Sequence, residues 1–189
     1  LEQTAALLLY ESLEYDTITI INANGTEQGK VSRFYTFRPF ELGKVKKDHL
    51  FLESMSGFVT YSSVSISQFS KFPIVTLNVP ILDPAGLVSG VLAAELNISQ
   101  IWNLISDRQI GKDRNAYITD AKGILIAHKD VSSILRKKNL SEIKNVNDFI
   151  NQKEENHFYK DLNAVSVIGA HAVVDPTGWG VFVETPVKT

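Results

Sequence analysis

Four Asp/Asn-x-x-Gly turns constrain this chain more than any other feature. They are Asn22-Ala23-Asn24-Gly25, Asp83-Pro84-Ala85-Gly86, Asp120-Ala121-Lys122-Gly123 and Asp175-Pro176-Thr177-Gly178, each set between two β-rich segments. The chemistry is that of a hairpin loop. A side-chain oxygen at the first position accepts from backbone N–H groups ahead of it, Pro at the second presets φ, and Gly at the fourth enters the left-handed region. The spacing adds a second constraint. The first and third turns lie 98 positions apart (120 − 22), and the second and fourth 92 (175 − 83). Within each half the two turns are separated by 61 (83 − 22) and 55 (175 − 120). One unit of hairpin, intervening segment and hairpin is used twice.

The flanking segments carry strand patterns. Thr17 to Ile21 is β-branched throughout, and Phe58 to Ile66 mixes aromatic, Val and Ser/Thr residues with partial alternation. Ile74 to Leu82 and Leu87 to Leu96 make the second hairpin of the first unit. In the second unit the expected strands are 116–119, 123–127, 164–174 and 179–184. Helices are expected over Glu2 to Leu13, with Ala5, Leu8, Leu9 and Leu13 on one face, and over His49 to Met55, ending near Gly57. A further helix begins at an Asn97 cap, with Gln100 as capping-box partner. It carries Ile98, Ile101, Trp102 and Ile105 at i, i+3, i+4, i+7 and stops at Gly111. The polar stretch 136–160 reads as a surface excursion with a short helix near Val146 to Asn151. These elements predict an α+β fold of two tandem PAS-like modules, residues 1–100 and 101–189, each with about five antiparallel strands flanked by helices.

Composition narrows the function classes. Nineteen Lys+Arg against 21 Asp+Glu give a net charge of −2, so no global field attracts nucleic acid. No cysteine is present, which excludes disulfides, thiolate metal sites and cysteine nucleophiles. No apolar run approaches the roughly 18–20 residues that span a bilayer. The chain starts without Met and reads as an excised fragment whose flanking membrane segments are missing.

Several motifs together resemble one family. Asp48-x-x-Phe51 with Ser56-Gly57, and Tyr61 to Ser67, are similar to the helix and third strand of a membrane-distal Cache module. Phe72 to Ile81 and Gly86-x-x-x-Gly90-Val91-Leu92-Ala93-Ala94-Glu95-Leu96 are similar to its last hairpin. Tyr117-Ile118-Thr119-Asp120-x-x-Gly123-x-Leu125-x-Ala127-His128 resembles the opening hairpin of a membrane-proximal module, and Gly178 to Pro186 its closing strand. The resemblance implies a double Cache sensor region outside the membrane of a prokaryotic receptor, a sensor histidine kinase first and a chemotaxis receptor as the alternative. It implies no catalysis in this fragment and no cofactor, a small polar molecule or ion in the distal pocket, and a homodimeric, membrane-anchored receptor. Leu1 would then lie within a truncated stalk helix, and Thr189 just before the second membrane segment.

Candidate ligand contacts follow from the same alignment of motifs. Glu95 ends an apolar run in a strand, and a buried carboxylate is costly without a partner. The resemblance puts it where the family's Asp commonly meets a ligand ammonium; a strand-end carboxylate facing water is the alternative. Tyr61, Ser63 and Ser65 share one strand face at period two, as a pocket wall or as a solvated face. Asp48 and His49 begin the helix at the pocket rim, where an Asp can equally serve the helix N-terminus. The Arg, Trp-Tyr pair and further Tyr of the family's amino-acid-binding subset have no counterpart here, which argues against a standard α-amino acid. The second unit offers no comparable polar cluster and reads as a relay toward the membrane.

Other classes have less in the sequence to carry them. His128, Asp130, His157, His171 and Asp175 show no metal-ligand spacing, so no metal site is expected. Nucleophile-elbow, phosphate-loop and zinc-protease motifs are absent, which leaves a hydrolase as the weakest alternative. Sequons at Asn24, Asn97 and Asn139 would suit a secreted structural module, but Asn24 lies in a hairpin turn and Asn97 caps a helix.

Overall fold

The computed structural model describes residues 2–45, 48–106, 114–153 and 157–187. The chain divides into two compact units, Leu1–Ser99 and Gln100–Thr189. Each is an α+β unit built on one antiparallel sheet.

In the first unit, α1 (Glu2–Glu11) precedes β1 (Tyr15–Asn22) and β2 (Glu27–Ser32). Then come α2 (His49–Met55), the short β3 (Thr60–Tyr61) and β4 (Ser65–Ile66), β5 (Pro73–Leu82) and β6 (Val88–Asn97). The sheet order is β2-β1-β6-β5-β3, with β4 also paired to β5. Both faces of the central strands are covered, because alternate residues point to opposite sides. Ile18, Ile20 and Ala94 pack with Ala5 and Leu9 of α1, while Ile21 and Val91 pack with Phe51 of α2. The four apolar positions expected along one face of α1 are not all used. Ala5 and Leu9 are buried at i, i+4, whereas Leu8 and Leu13 are exposed. Helix α2 matches its expected bounds, and Gly57 after it takes φ 97, the left-handed stop that glycine favours.

The second unit holds α3 (Ser99–Ser106), β7 (Asn115–Thr119), β8 (Leu125–His128), α4 (Val131–Leu135), α5 (Lys144–Ile150), β9 (Phe158–Lys160), β10 (Ser166–Val174) and β11 (Trp179–Pro186). Its sheet order, β8-β7-β11-β10-β9, repeats the β2-β1-β6-β5-β3 path of the first unit, with no counterpart of β4 among the described residues. Asn97 does cap α3, its Oδ1 accepting from the Ser99 N–H at 3.0 Å; the expected stop at Gly111 lies outside the described residues. The stretch after Arg136 is no surface excursion. Leu140, Ile143, Val146 and Phe149 recur every third residue and are all buried, so α5 closes the core. The short α4, capped by Asp130, was hidden in polar sequence.

The turns explain the repeat. Oδ1 of Asn22 accepts from Asn24 and Thr26 N–H at 3.0 Å. Oδ1 of Asp83 does the same for Ala85 and Leu87 at 2.9 Å, and Oδ1 of Asp120 for Lys122 and Ile124 at 2.8 Å. The fourth turn differs from expectation. Its Asp175–Pro176 peptide is cis, and the Thr177 hydroxyl takes the closing role, donating to the Val174 carbonyl at 2.8 Å and accepting from Trp179 N–H at 3.3 Å. A fifth turn of the same chemistry joins β9 to β10, where Asp161 Oδ1 accepts from Asn163 and Val165 N–H. The sequence disguises it, because Ala164 stands where the others have glycine, at φ 61. The expected strand start at Ala164 therefore moves to Ser166. A left-handed alanine costs about 1 kcal/mol that glycine does not. Ala164→Gly should thus raise stability by roughly 0.5–1 kcal/mol in urea unfolding; an unchanged or lower midpoint would contradict this.

Candidate functional site

The helix α2 and the sheet of the first unit enclose a cavity of about 210 Å³. Its floor is one face of three paired strands. Thr19 opposes Ala93, and Ala93 opposes Asn78; Thr76 opposes Glu95 one step along. Glu27, Lys30, Asp48 and Ser62 add polar walls, and Leu50 and Phe51 apolar ones. Glu27 is buried yet fully engaged. One oxygen pairs with Lys30 at 3.0 Å, and the other accepts from Gly43 N–H at 2.7 Å, tying the loop after β2 to the cavity.

Glu95 is in a different position. Ser67 donates to its Oε2 at a long 3.5 Å, and among the described residues no ion pair forms to it. Burial pushes its carboxyl above the ordinary value. The Thr17 hydroxyl and the Lys30 charge oppose that rise, Asp16 adds to it, and Ser67 opposes it. A carboxylate held this way gains most from a cation that enters the cavity.

The expected site residues divide sharply. Asp48 and Glu95 both line the cavity. Asp48 also caps α2, its Oδ1 accepting from Leu50 N–H at 2.9 Å and Phe51 N–H at 3.3 Å, so the two readings of this residue are compatible. His49 is exposed on the first turn and is not among the lining residues. Tyr61, Ser63 and Ser65 are not there either. The expected continuous strand is broken into β3 and β4, and its inward face is the other one, carrying buried Thr60, half-buried Ser62 and buried Val64. Ser62 makes the break. Its hydroxyl accepts from Thr76 N–H at 2.8 Å and donates to the Ser63 carbonyl at 2.9 Å, replacing a backbone ladder bond. Sequence reasoning also missed Asn78, a lone amide inside the apolar run of β5; that interruption was the available signal.

A twice-used sheet order around a polar cavity has a counterpart among known families. The model of the Cache domain matches residues 2–189. The chain belongs to the Cache domain family. No curated protein matches the sequence. Among solved structures, the Cache chain is similar to the extracellular domain of rpHK1S-Z16, a protein assigned as a histidine kinase (10% identity, TM-score 0.76, 98% of this chain and 76% of that one). A second such domain, from mmHK1S-Z2, gives 12% identity and a TM-score of 0.72 over 98% and 80%. The ligand-binding domain of the Pseudomonas aeruginosa PAO1 amino acid chemoreceptor PctB, in complex with L-Gln, gives 17% identity and 0.68 over 98% and 74%.

The second unit of this Cache chain also has a polar centre, against expectation. His171 Nδ1 lies 2.7 Å from Asn145 Oδ1, and Asn145 Nδ2 donates to the Tyr159 hydroxyl at 3.1 Å. Tyr159 and Tyr117 then both donate to Oε1 of Glu184, at 3.1 and 2.8 Å. Glu184 is 3% exposed, and burial raises its carboxyl above the ordinary value despite both phenols. Burial also pushes the Tyr159 and Tyr117 hydroxyls far upward, so they stay donors. Like Glu95, Glu184 ends an apolar run in the unit's closing strand, but its partners are too distant in sequence to be read from spacing. Among the described residues no group of three or more metal-capable side chains converges, and no helix is long and apolar enough to cross a membrane.

Proposed function

We propose that this Cache region senses a small polar molecule outside the cell for a membrane receptor. In this reading, residues 1–100 form the membrane-distal ligand-binding module and residues 101–189 the membrane-proximal one. The observation that carries it is Glu95, a half-buried carboxylate on the floor of a cavity, without an ion-pair partner among the described residues. Glu27, Asp48 and Glu95 outnumber Lys30 there, which favours a ligand with a protonated amine. Occupancy would draw the walls on α2 and β2 toward β6, and a ligand transmits this only by preferring one conformation. A histidine kinase is the proposed output, supported by the two kinase-assigned domains that superpose with TM-scores of 0.76 and 0.72. The chemoreceptor domain PctB supports a chemotaxis receptor as the second reading. The full-length receptor would be anchored by flanking segments and act as a homodimer.

A thermal-shift screen of amines and amino compounds, followed by calorimetric titration, tests the site. A hit should lose about tenfold or more in affinity on Glu95→Gln, equivalent to about 1.4 kcal/mol, with the melting temperature of the free protein kept. Undiminished affinity in this variant would remove Glu95, and the first-unit cavity with it, from ligand recognition.

A further inference from the structure

The second unit contains a cavity of its own, about 180 Å³, that the sensing role of the first unit does not use. Glu184 forms part of its lining. Both tyrosine hydroxyls that reach Glu184 donate to Oε1, which leaves Oε2 without a hydrogen bond among the described residues. Nor is Oε2 sealed in protein. Asp148 Oδ2 is the only fully enclosed side-chain oxygen or nitrogen lacking a hydrogen bond among the described residues, so Oε2 of Glu184 keeps some open surface, and Glu184 lines the cavity. A side chain 97% withdrawn from solvent (3% exposed) thus presents one unsatisfied oxygen to a small space.

The other walls carry donors and charges of both signs, Lys129 and Lys138 beside Asp130 and Asp161. The Lys129 ammonium donates to Asn115 Oδ1 at 2.6 Å, while that of Lys138 has no partner among the described residues. His128 accepts at Nδ1 from the Asp130 N–H at 2.9 Å, so its neutral ring carries the proton on Nε2. Burial favours that neutral form. The two aspartates of the lining are occupied elsewhere. Asp130 caps α4 and binds the Ser132 and Ser133 hydroxyls, and Asp161 closes its turn.

We propose that this cavity is a second binding site, for a short hydroxycarboxylate. The carboxylate would lie between Lys138 and His128 Nε2, and the adjacent hydroxyl against Oε2 of Glu184. A hydroxyl suits that oxygen in either protonation state, since it can donate to a carboxylate or accept from a carboxylic acid. An ammonium group there would sit among Lys129 and Lys138 as well as the carboxylates of Asp130 and Asp161, whereas a neutral hydroxyl is repelled by neither. The volume is well below that of sites for drug-sized ligands, which limits the occupant to a few carbons.

Titration of the isotope-labelled 189-residue chain with glycolate, L-lactate, acetate and glycine, followed by amide NMR, decides the matter. Glycolate or lactate should shift signals from residues 115–130 and 161–163, and acetate and glycine should bind more weakly. Lys138→Ala, an exposed side chain, should weaken the response by about tenfold or more. Glu95→Gln should leave it unchanged. The proposal fails if no probe moves these signals, if glycine binds as tightly as glycolate, or if Lys138→Ala titrates like the parent. Shifts confined to the first unit would also overturn it while leaving the first-unit site standing, and loss of the Glu95-dependent ligand would not touch it.

Discussion

Phe182→Ala should remove roughly 3–5 kcal/mol from the second unit, the largest effect expected of any single side chain here. The ring is fully buried at the middle of β11. It stacks on Tyr117 with centroids 4.9 Å apart at 7°, and meets Phe149 edge-on at 5.4 Å and His171 at 5.6 Å. Space for these rings depends on Gly180. A Cβ there would lie 2.7 Å from Phe182 and 2.9 Å from Phe149. Neighbours fitted this closely cannot collapse into the void without leaving their own contacts, which places the loss high in the range for aromatic deletions. Against a domain stability of about 5–15 kcal/mol, that is a large share. Both tryptophans, Trp102 and Trp179, belong to the second unit, so tryptophan fluorescence in a denaturant series reports on it directly. A midpoint that stays where the parent has it would show that Phe182 does not close this core.

The legible parts of this chain were those decided by local chemistry. An Asx oxygen facing the next N–H groups needs only neighbours within four residues, so three of the four turns were readable as built. The fourth kept its place but passed its side-chain role from Asp175 to Thr177. The Asp48 cap and the bounds of α2 were readable for the same reason. Parity was harder. Thr60 to Ser65 is a run of small hydroxyl residues with Tyr61 and Val64, and either alternate set looks like a polar face. What chose Thr60, Ser62 and Val64 for the inside was the pairing of Thr60 with Asn78 and the Ser62 bond to Thr76, contacts from a different strand. The polar centre of the second unit was least legible. Tyr117, Asn145, Tyr159, His171 and Glu184 come from four strands and a helix, and only the finished sheet register brings them together.

Gly169→Ala should expose how tightly that register and the polar centre depend on each other. Gly169 sits in β10 opposite Glu184. It leaves the opening through which Tyr159 reaches the carboxylate. An added Cβ would fall on the Tyr159 hydroxyl, 2.9 Å from its ring carbon Cζ and 2.9 Å from the Val183 carbonyl oxygen. The phenol must then swing away from both Asn145 and Glu184. Overpacking of this kind costs roughly 1–3 kcal/mol, and stripping buried groups of their partners about 1–3 kcal/mol more. The combined loss should be about 3 kcal/mol in fluorescence-monitored unfolding. A double-mutant cycle separates the two causes. Tyr159→Phe removes the hydroxyl and its hydrogen bonds beforehand, so the alanine then meets only the ring and the carbonyl. If the hydroxyl is the obstacle, Gly169→Ala should cost about 1–2 kcal/mol less in the Tyr159→Phe background than in the parent. Equal costs in both backgrounds would place the clash at the Val183 carbonyl, and would mean that the sheet, rather than the polar centre, requires glycine at this position.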